Sequence, residues 1–178
     1  MSSRWKVVAG CAVAAVVAAG LVVGLTREGG GSPKIVSGEP ELGGTTPAPV
    51  VAGPDLVTGK RFALADFRGK PVFINVWASW CGPCREEAPE IKRFTRERSD
   101  VVMMGVNLND VRRTAQAFSA KVGWTHPSIF DPGGTVGVDA LKVTTLPATF
   151  YVDAQGRLRG RTAGPVTYAD LISAADRI

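Results

Sequence analysis

The residues Val72-Phe73-Ile74-Asn75-Val76-Trp77 form a nearly continuous apolar run of strand length, and Cys81-Gly82-Pro83-Cys84 follows shortly after. From Arg85 to Arg98 the apolar positions Ala88, Ile91 and Phe94 recur at helical spacing, with Arg85, Glu86, Lys92, Arg93 and Arg96 forming a polar face. A strand that is apolar at nearly every position belongs inside a sheet covered on both faces. This order of strand, short turn and amphipathic helix is the feature that most restricts the fold. Pro89 lies inside the helix and is expected to kink it.

The cysteine pair stands where the helix should begin. Disulfide exchange requires a thiolate. A helix N-terminus offers unpaired N–H groups and the positive end of the dipole, which makes Cys81 the expected attacking sulfur. Cys84 lies about one turn further on the same side of the helix and is expected to resolve the mixed disulfide. Pro83 costs nothing in a first turn, where its missing N–H has no helical partner, and Gly82 leaves room for an approaching polypeptide. The chain has three cysteines and one histidine. A disulfide framework needs more cysteines at wider spacing, and a zinc site needs two further ligands. A redox pair remains, with no metal and no cofactor beyond the Cys81–Cys84 disulfide.

The rest of the domain alternates strands and helices. Leu56 to Phe67 reads as a hairpin around Thr58-Gly59-Lys60, and Val101 to Val106 as a second buried strand. Asn109 or Asp110 is expected to cap a helix from Val111 to Lys121. A short strand at Pro127–Phe130 and a short helix at Thr135–Leu141 come next. Ala148–Val152 and Arg157–Thr162 make a hairpin around Asp153-Ala154-Gln155-Gly156, and Thr167–Ile178 closes as an amphipathic helix. This is an α/β architecture with a central mixed sheet flanked by helices. His126 is expected on the surface.

Two segments precede this domain. Val7 to Leu25 carries no charge, and as a helix it would reach about 28 Å, close to a bilayer's hydrocarbon thickness. Arg4 and Lys6 precede it, so residues 1–25 read as a cytoplasmic stub and membrane anchor with everything after it outside. A cleaved signal peptide is the alternative, leaving a secreted domain, and Val8-Ala9-Gly10-Cys11 resembles a lipoprotein cleavage box with Cys11 as its lipid site. Residues 26–54 are rich in Gly and Pro and poor in large apolar residues, so they are expected to form a flexible linker to a domain spanning 55–178. A formal net charge of +5 over the chain is mild, and no basic run is interleaved with aromatics in the manner of nucleic-acid binders.

Trp77-Ala78-Ser79-Trp80-Cys81-Gly82-Pro83-Cys84-Arg85-Glu86-Glu87-Ala88-Pro89 resembles the active-site segment of thioredoxin-fold proteins, most closely the extracytoplasmic TlpA/ResA-like branch. The resemblance covers residues 55–178. It implies a thioredoxin fold with an N-terminal hairpin and a helix-strand insertion between Asn109 and Phe130. Thr145-Leu146-Pro147-Ala148 resembles the family's cis-proline loop, which implies a cis Pro147 facing the cysteines. Trp80, Gly82, Pro83, Leu146 and Pro147 would then border the substrate groove. Thioredoxin's buried acid is replaced here by Asn75. The ResA-like branch instead carries a functional glutamate at the position of Glu87, which implies a proton partner for Cys84; a solvated glutamate on the helix's polar face is the alternative.

Ile74 and Ala78 stand where a thiol peroxidase of this fold would carry Pro and Thr or Ser, so that reading fails. A thiol-dependent binding protein is the non-enzymatic rival, and the resolving Cys84 argues against it. Gly-Pro between the cysteines resembles the reducing members. That implies protein clients, apocytochrome c among them, and a membrane thiol donor supplying electrons from the cytoplasm. A general extracytoplasmic reductase or oxidase is the alternative.

Overall fold

A computed structural model describes residues 39–178. The expected anchor (residues 1–25) and the linker through residue 38 lie outside the described residues. Among the described residues no helix is long and apolar enough to cross a membrane.

The strands are β1 (Glu41–Pro47), β2 (Ala52–Pro54), β3 (Arg61–Ala63), β4 (Val72–Trp77), β5 (Val102–Leu108), β6 (Ser128–Asp131), β7 (Ala148–Val152) and β8 (Arg157–Ala163). The helices are α1 (Gly82–Glu97), α2 (Arg112–Val122) and α3 (Tyr168–Ala175), with a 3₁₀ turn at Leu64–Phe67 and a π-helical turn at Thr135–Ala140. Six strands make one mixed sheet in the order β1-β8-β7-β4-β5-β6. β4, β5 and β6 run parallel, while β7, β8 and β1 are antiparallel to their neighbours.

The apolar run of β4 is buried at every position and divides by alternation between two cores. Phe73 and Trp77 face α1, α2 and α3 and pack with Ile91, Phe94, Phe118, Trp124 and Leu171. Ile74 and Val76 face the opposite side with Val51, Leu64, Met104, Ile129 and Val136. The expected helix-strand insertion is α2 and β6.

The linker expectation fails for residues 41–54. β1 pairs with β8 along the sheet edge, β2 pairs with β3, and Val51 is fully buried. β1's side chains are mostly exposed, so the strand is held by its backbone and carries no apolar alternation to read. One of its two glycines serves close packing: a Cβ at Gly44 would come within 2.7 Å of the Leu158 carbonyl. The hairpin consequently joins β2 to β3 through residues 55–60 and begins earlier than Leu56.

The expected helix cap also moves. The N-cap residue of α2 is Val111, which makes no side-chain cap. Asp110 stands one residue ahead, and its carboxylate accepts from the Val111 N–H at 2.7 Å and the Thr114 hydroxyl at 3.1 Å. His126 is corrected as well. The residue is half-buried, but both ring nitrogens are shut away from solvent and have no partner. Burial pushes its pKa down to about 4.

Candidate active site

Cys81 is the N-cap residue of α1, with Pro83 in the first turn. The pair is closed as a disulfide. The Cys84 N–H donates to Cys81 Sγ at 3.2 Å, so a first-turn donor points at the sulfur, the arrangement that supports a thiolate once the disulfide is reduced. Cys81 is 4% exposed and Cys84 0%, which leaves Cys81 as the sulfur a partner can reach. α1 continues as a single helix through Pro89.

A groove of about 410 Å³ opens beside Cys81 and is lined by Trp80, Gly82, Pro83, Asn109 and Leu146, with Val138 and Val143 across from them. The Leu146–Pro147 bond is cis. Four of the five expected groove residues line it; Pro147 is buried behind them, its carbonyl accepting from the Gly164 N–H at 2.9 Å. Trp80 is 58% exposed, and its indole N–H donates to the Asn109 carbonyl at 2.9 Å. Asn109 holds that carbonyl in place with a φ of 49°, a left-handed conformation that Asn tolerates.

Glu87 is completely buried, which excludes the solvated alternative. It lies one turn beyond Cys84 on the inward face of α1. Its Oε1 accepts from the Asn75 side-chain amide at 2.9 Å and its Oε2 from the Val166 N–H at 2.9 Å. Burial pushes the Glu87 pKa up to about 8, against the opposing pull of those two hydrogen bonds. Asn75 also donates to Thr149 Oγ1 at 3.2 Å, so β4, β7, α1 and the loop before α3 all meet at this carboxyl. Neither Thr149 nor Val166 carries a sequence signal for this role. Val166 contributes only backbone, and Thr149 reads as an ordinary strand residue.

Arg85 donates from Nε and Nη2 to the Ser79 carbonyl at 3.0 and 2.7 Å. Asp110 accepts from the Ser79 N–H at 2.6 Å and its hydroxyl at 2.9 Å. The turn leading into Cys81 is thus clamped from both sides. Burial pushes the Asp110 carboxyl up, but hydrogen bonds from Ser79, Asn107 and Val111 outweigh it and hold it below the usual range.

A cysteine pair at a helix start beside a cis-proline loop is equipped for disulfide exchange, and the comparisons agree. A family model described as Redoxin matches residues 44–176. The chain belongs to the redoxin family and is a thioredoxin-fold thiol–disulfide oxidoreductase. This redoxin is 40% identical over 122 residues to the thiol:disulfide interchange protein HelX of Rhodobacter capsulatus, covering 67% of this chain and 68% of that one. It is 30% identical over 132 residues to the thiol-disulfide oxidoreductase ResA of Geobacillus thermodenitrificans, covering 73% and 74%. Among solved structures, a DsbF homologue from Corynebacterium diphtheriae superposes with a TM-score of 0.69 at 29% identity, covering 75% of this chain and 87% of the other. The match beginning at residue 44 agrees with the inclusion of β1 in the folded unit.

Proposed function

We propose that this redoxin works outside the cytoplasm, tethered by its N-terminal apolar segment, as a reductase of protein disulfides. The Cys81–Cys84 pair is its redox group and no other cofactor is needed. Clients are polypeptides with oxidised cysteine pairs, the haem-attachment cysteines of apocytochrome c among them, and a membrane thiol carrier returns electrons to the pair. The support for the setting is the uncharged run from Val7 to Leu25 and the kinship with HelX and ResA. A secreted or lipid-anchored form is the alternative that the same run allows.

The observation that carries the mechanism is the inequality of the two sulfurs. Cys81 borders the groove, so its thiolate attacks one sulfur of a client disulfide and releases the other as a client thiolate. Cys84, buried behind it, then loses its proton and attacks Cys81 Sγ. This frees the second client sulfur and leaves the Cys81–Cys84 disulfide. Glu87 lies one turn away and is held near pH 8, within about one unit of an ordinary cysteine at ~8.5. A carboxyl raised this far is a closer match to a thiol than an ordinary carboxylate, which favours proton exchange between them. Glu87 is proposed as the acceptor of the Cys84 proton during reduction and its donor in the reverse direction.

Two measurements test this. Cys84→Ser should accumulate mixed disulfides between Cys81 and clients; client binding that persists without any such adduct would remove the exchange mechanism. A redox titration of the pair should give a reducing potential. A value near about −120 mV, that of a strong periplasmic oxidant, would reverse the proposed direction.

A further inference from the structure

Trp80 has a groove on each side. The one beyond it, away from Cys81, has a volume of about 810 Å³ and lies between the turn before α1 and the exposed side of α2. Its apolar lining comes from Trp80, Val111, Ala117, Phe118 and Pro132. Val111 is 66% exposed and Trp80 58%, so two large apolar side chains face solvent along this groove. Arg85 and Lys121 also line the groove, and neither takes part in an ion pair among the described residues. Asp110 is the one acid lining it, and its oxygens already accept from Ser79, Asn107, Val111 and Thr114. The groove is therefore apolar with two cations against one carboxylate, whose oxygens are taken up by neighbouring donors, and it carries a net excess of one positive charge.

We propose that this second groove binds the stretch of client polypeptide next to the reacting cysteine, and that it selects an apolar side chain neighbouring a carboxylate. Continuity with the reactive groove supports this occupant. Trp80 and Asn109 line both grooves, and the hydrogen bond between them fixes the indole as the divider. A client chain whose cysteine is bonded to Cys81 passes over Trp80 to leave the site. Its apolar side chain covers Val111 and Phe118, while its carboxylate meets Arg85 and Lys121. Charge complementarity of this kind acts chiefly on encounter rate and on the choice of partner. The inference rests on exchange at Cys81 and is independent of whether the chain reduces or oxidises in the cell.

The test uses the full-length chain, reduced, and cysteine peptides capped through a disulfide to 2-mercaptoethanol, a neutral leaving thiol. The Cys81 thiolate attacks the peptide sulfur and expels 2-mercaptoethanol. Cys84 then displaces the peptide thiol and the chain ends as the disulfide. One peptide carries Leu-Glu next to its cysteine and the other Leu-Lys, with the pair placed on either side. The Glu peptide should react about fivefold faster at low salt, the size expected of exposed ion pairs, and the preference should shrink as salt rises. Lys121→Glu should abolish or invert the ratio. Arg161→Glu, the same charge change on the exposed side of β8, should leave it in place. Equal rates for the two peptides on the wild-type chain would overturn the proposal, as would a ratio lowered equally by both variants. An unchanged ratio in Lys121→Glu, together with Lys121-dependent dimerisation by light scattering, would assign the groove to a second copy and also overturn it.

Discussion

Two buried polar regions lie on the helix-covered side of the sheet, and they are built in opposite ways. Beneath the cysteine pair, Glu87 is held by donors from Asn75 and Val166, and Asn75 is tied on to Thr149. Further along the same core, His126 packs beside Trp124, which meets Trp77 edge-on, and His126 Nδ1 and Nε2, Trp77 Nε1 and Ser128 Oγ all lack partners. Burial shifts both ionisable groups toward their neutral forms, Glu87 up to about 8 and His126 down to about 4. The difference lies in what happens when a charge arrives. Glu87 has two donors aimed at it that would stabilise a carboxylate, so it can cycle between states near neutral pH. His126 has none, so its charged form is not supported at all. Burial alone makes a group inert, whereas burial with preplaced donors makes it usable.

The comparison can be broken by titrating stability. For Glu87 the folded pKa is raised from 4.5, so the folded state holds a proton that the unfolded state has lost, and stability falls as pH rises from 4.5 to about 8. At about 1.4 kcal/mol per unit, the ceiling is roughly 5 kcal/mol. The difference between wild type and Glu87→Gln in denaturant melts across that window should grow by up to this amount. A flat difference would remove Glu87 as a buried titrating group. Asn75→Ala should move the upper end of the window above 8, because it removes a donor that favours the carboxylate.

His126 has the opposite sign. Its folded pKa is lowered from 6.5, so stability is lost as pH falls from 6.5 to about 4, with a ceiling of roughly 3 kcal/mol. Between 4.5 and 6.5 the two groups nearly cancel. His126→Phe keeps an aromatic ring beside Trp124 and removes the two orphaned nitrogens. It should abolish the acid-side loss and add about 1 kcal/mol at pH 7; destabilisation at pH 7 would mean that the nitrogens are satisfied after all. The smallest effect is expected from Thr149→Val. Losing one hydrogen bond to Asn75 should cost about 1 kcal/mol and leave the Glu87 window in place, as melts at pH 5 and pH 8 would establish.

Much of this was legible in the sequence because it depends on local pattern. The unbroken apolar run of β4 and the spacing of Ala88, Ile91 and Phe94 place the cysteines at a helix start. Glu87 lies three residues from Cys84 and four from Ile91, so helical spacing alone puts it on the inward face, although its charge argues for solvent. Its donors were not legible, since the Val166 contact is made by backbone across 79 residues of sequence. The insertion helix was visible, but its cap was not, because Asp110 divides its oxygens between α2 and the turn before Cys81. His126 gave no signal, since its burial depends on how the segment after α2 folds back against Trp124. The largest misreading was β1, where a glycine that permits close backbone approach, Gly44, cannot be told by composition from glycines that confer freedom.

That strand matters for solubility. β1 is the edge strand of the central sheet on one side, paired with β8 from Glu41 opposite Arg161 to Pro47 opposite Arg157, with the register broken between Leu42 and Thr46. A chain trimmed to begin at Asp55 would keep both cysteines and every groove residue, yet it would leave β8 as a bare seven-residue edge. Bare edges recruit strands from other molecules. β1 thus replaces that edge with one whose pairing is interrupted between Leu42 and Thr46 and which ends in Pro47, a poorer template for a further strand, a duty separate from the chemistry of the cysteines.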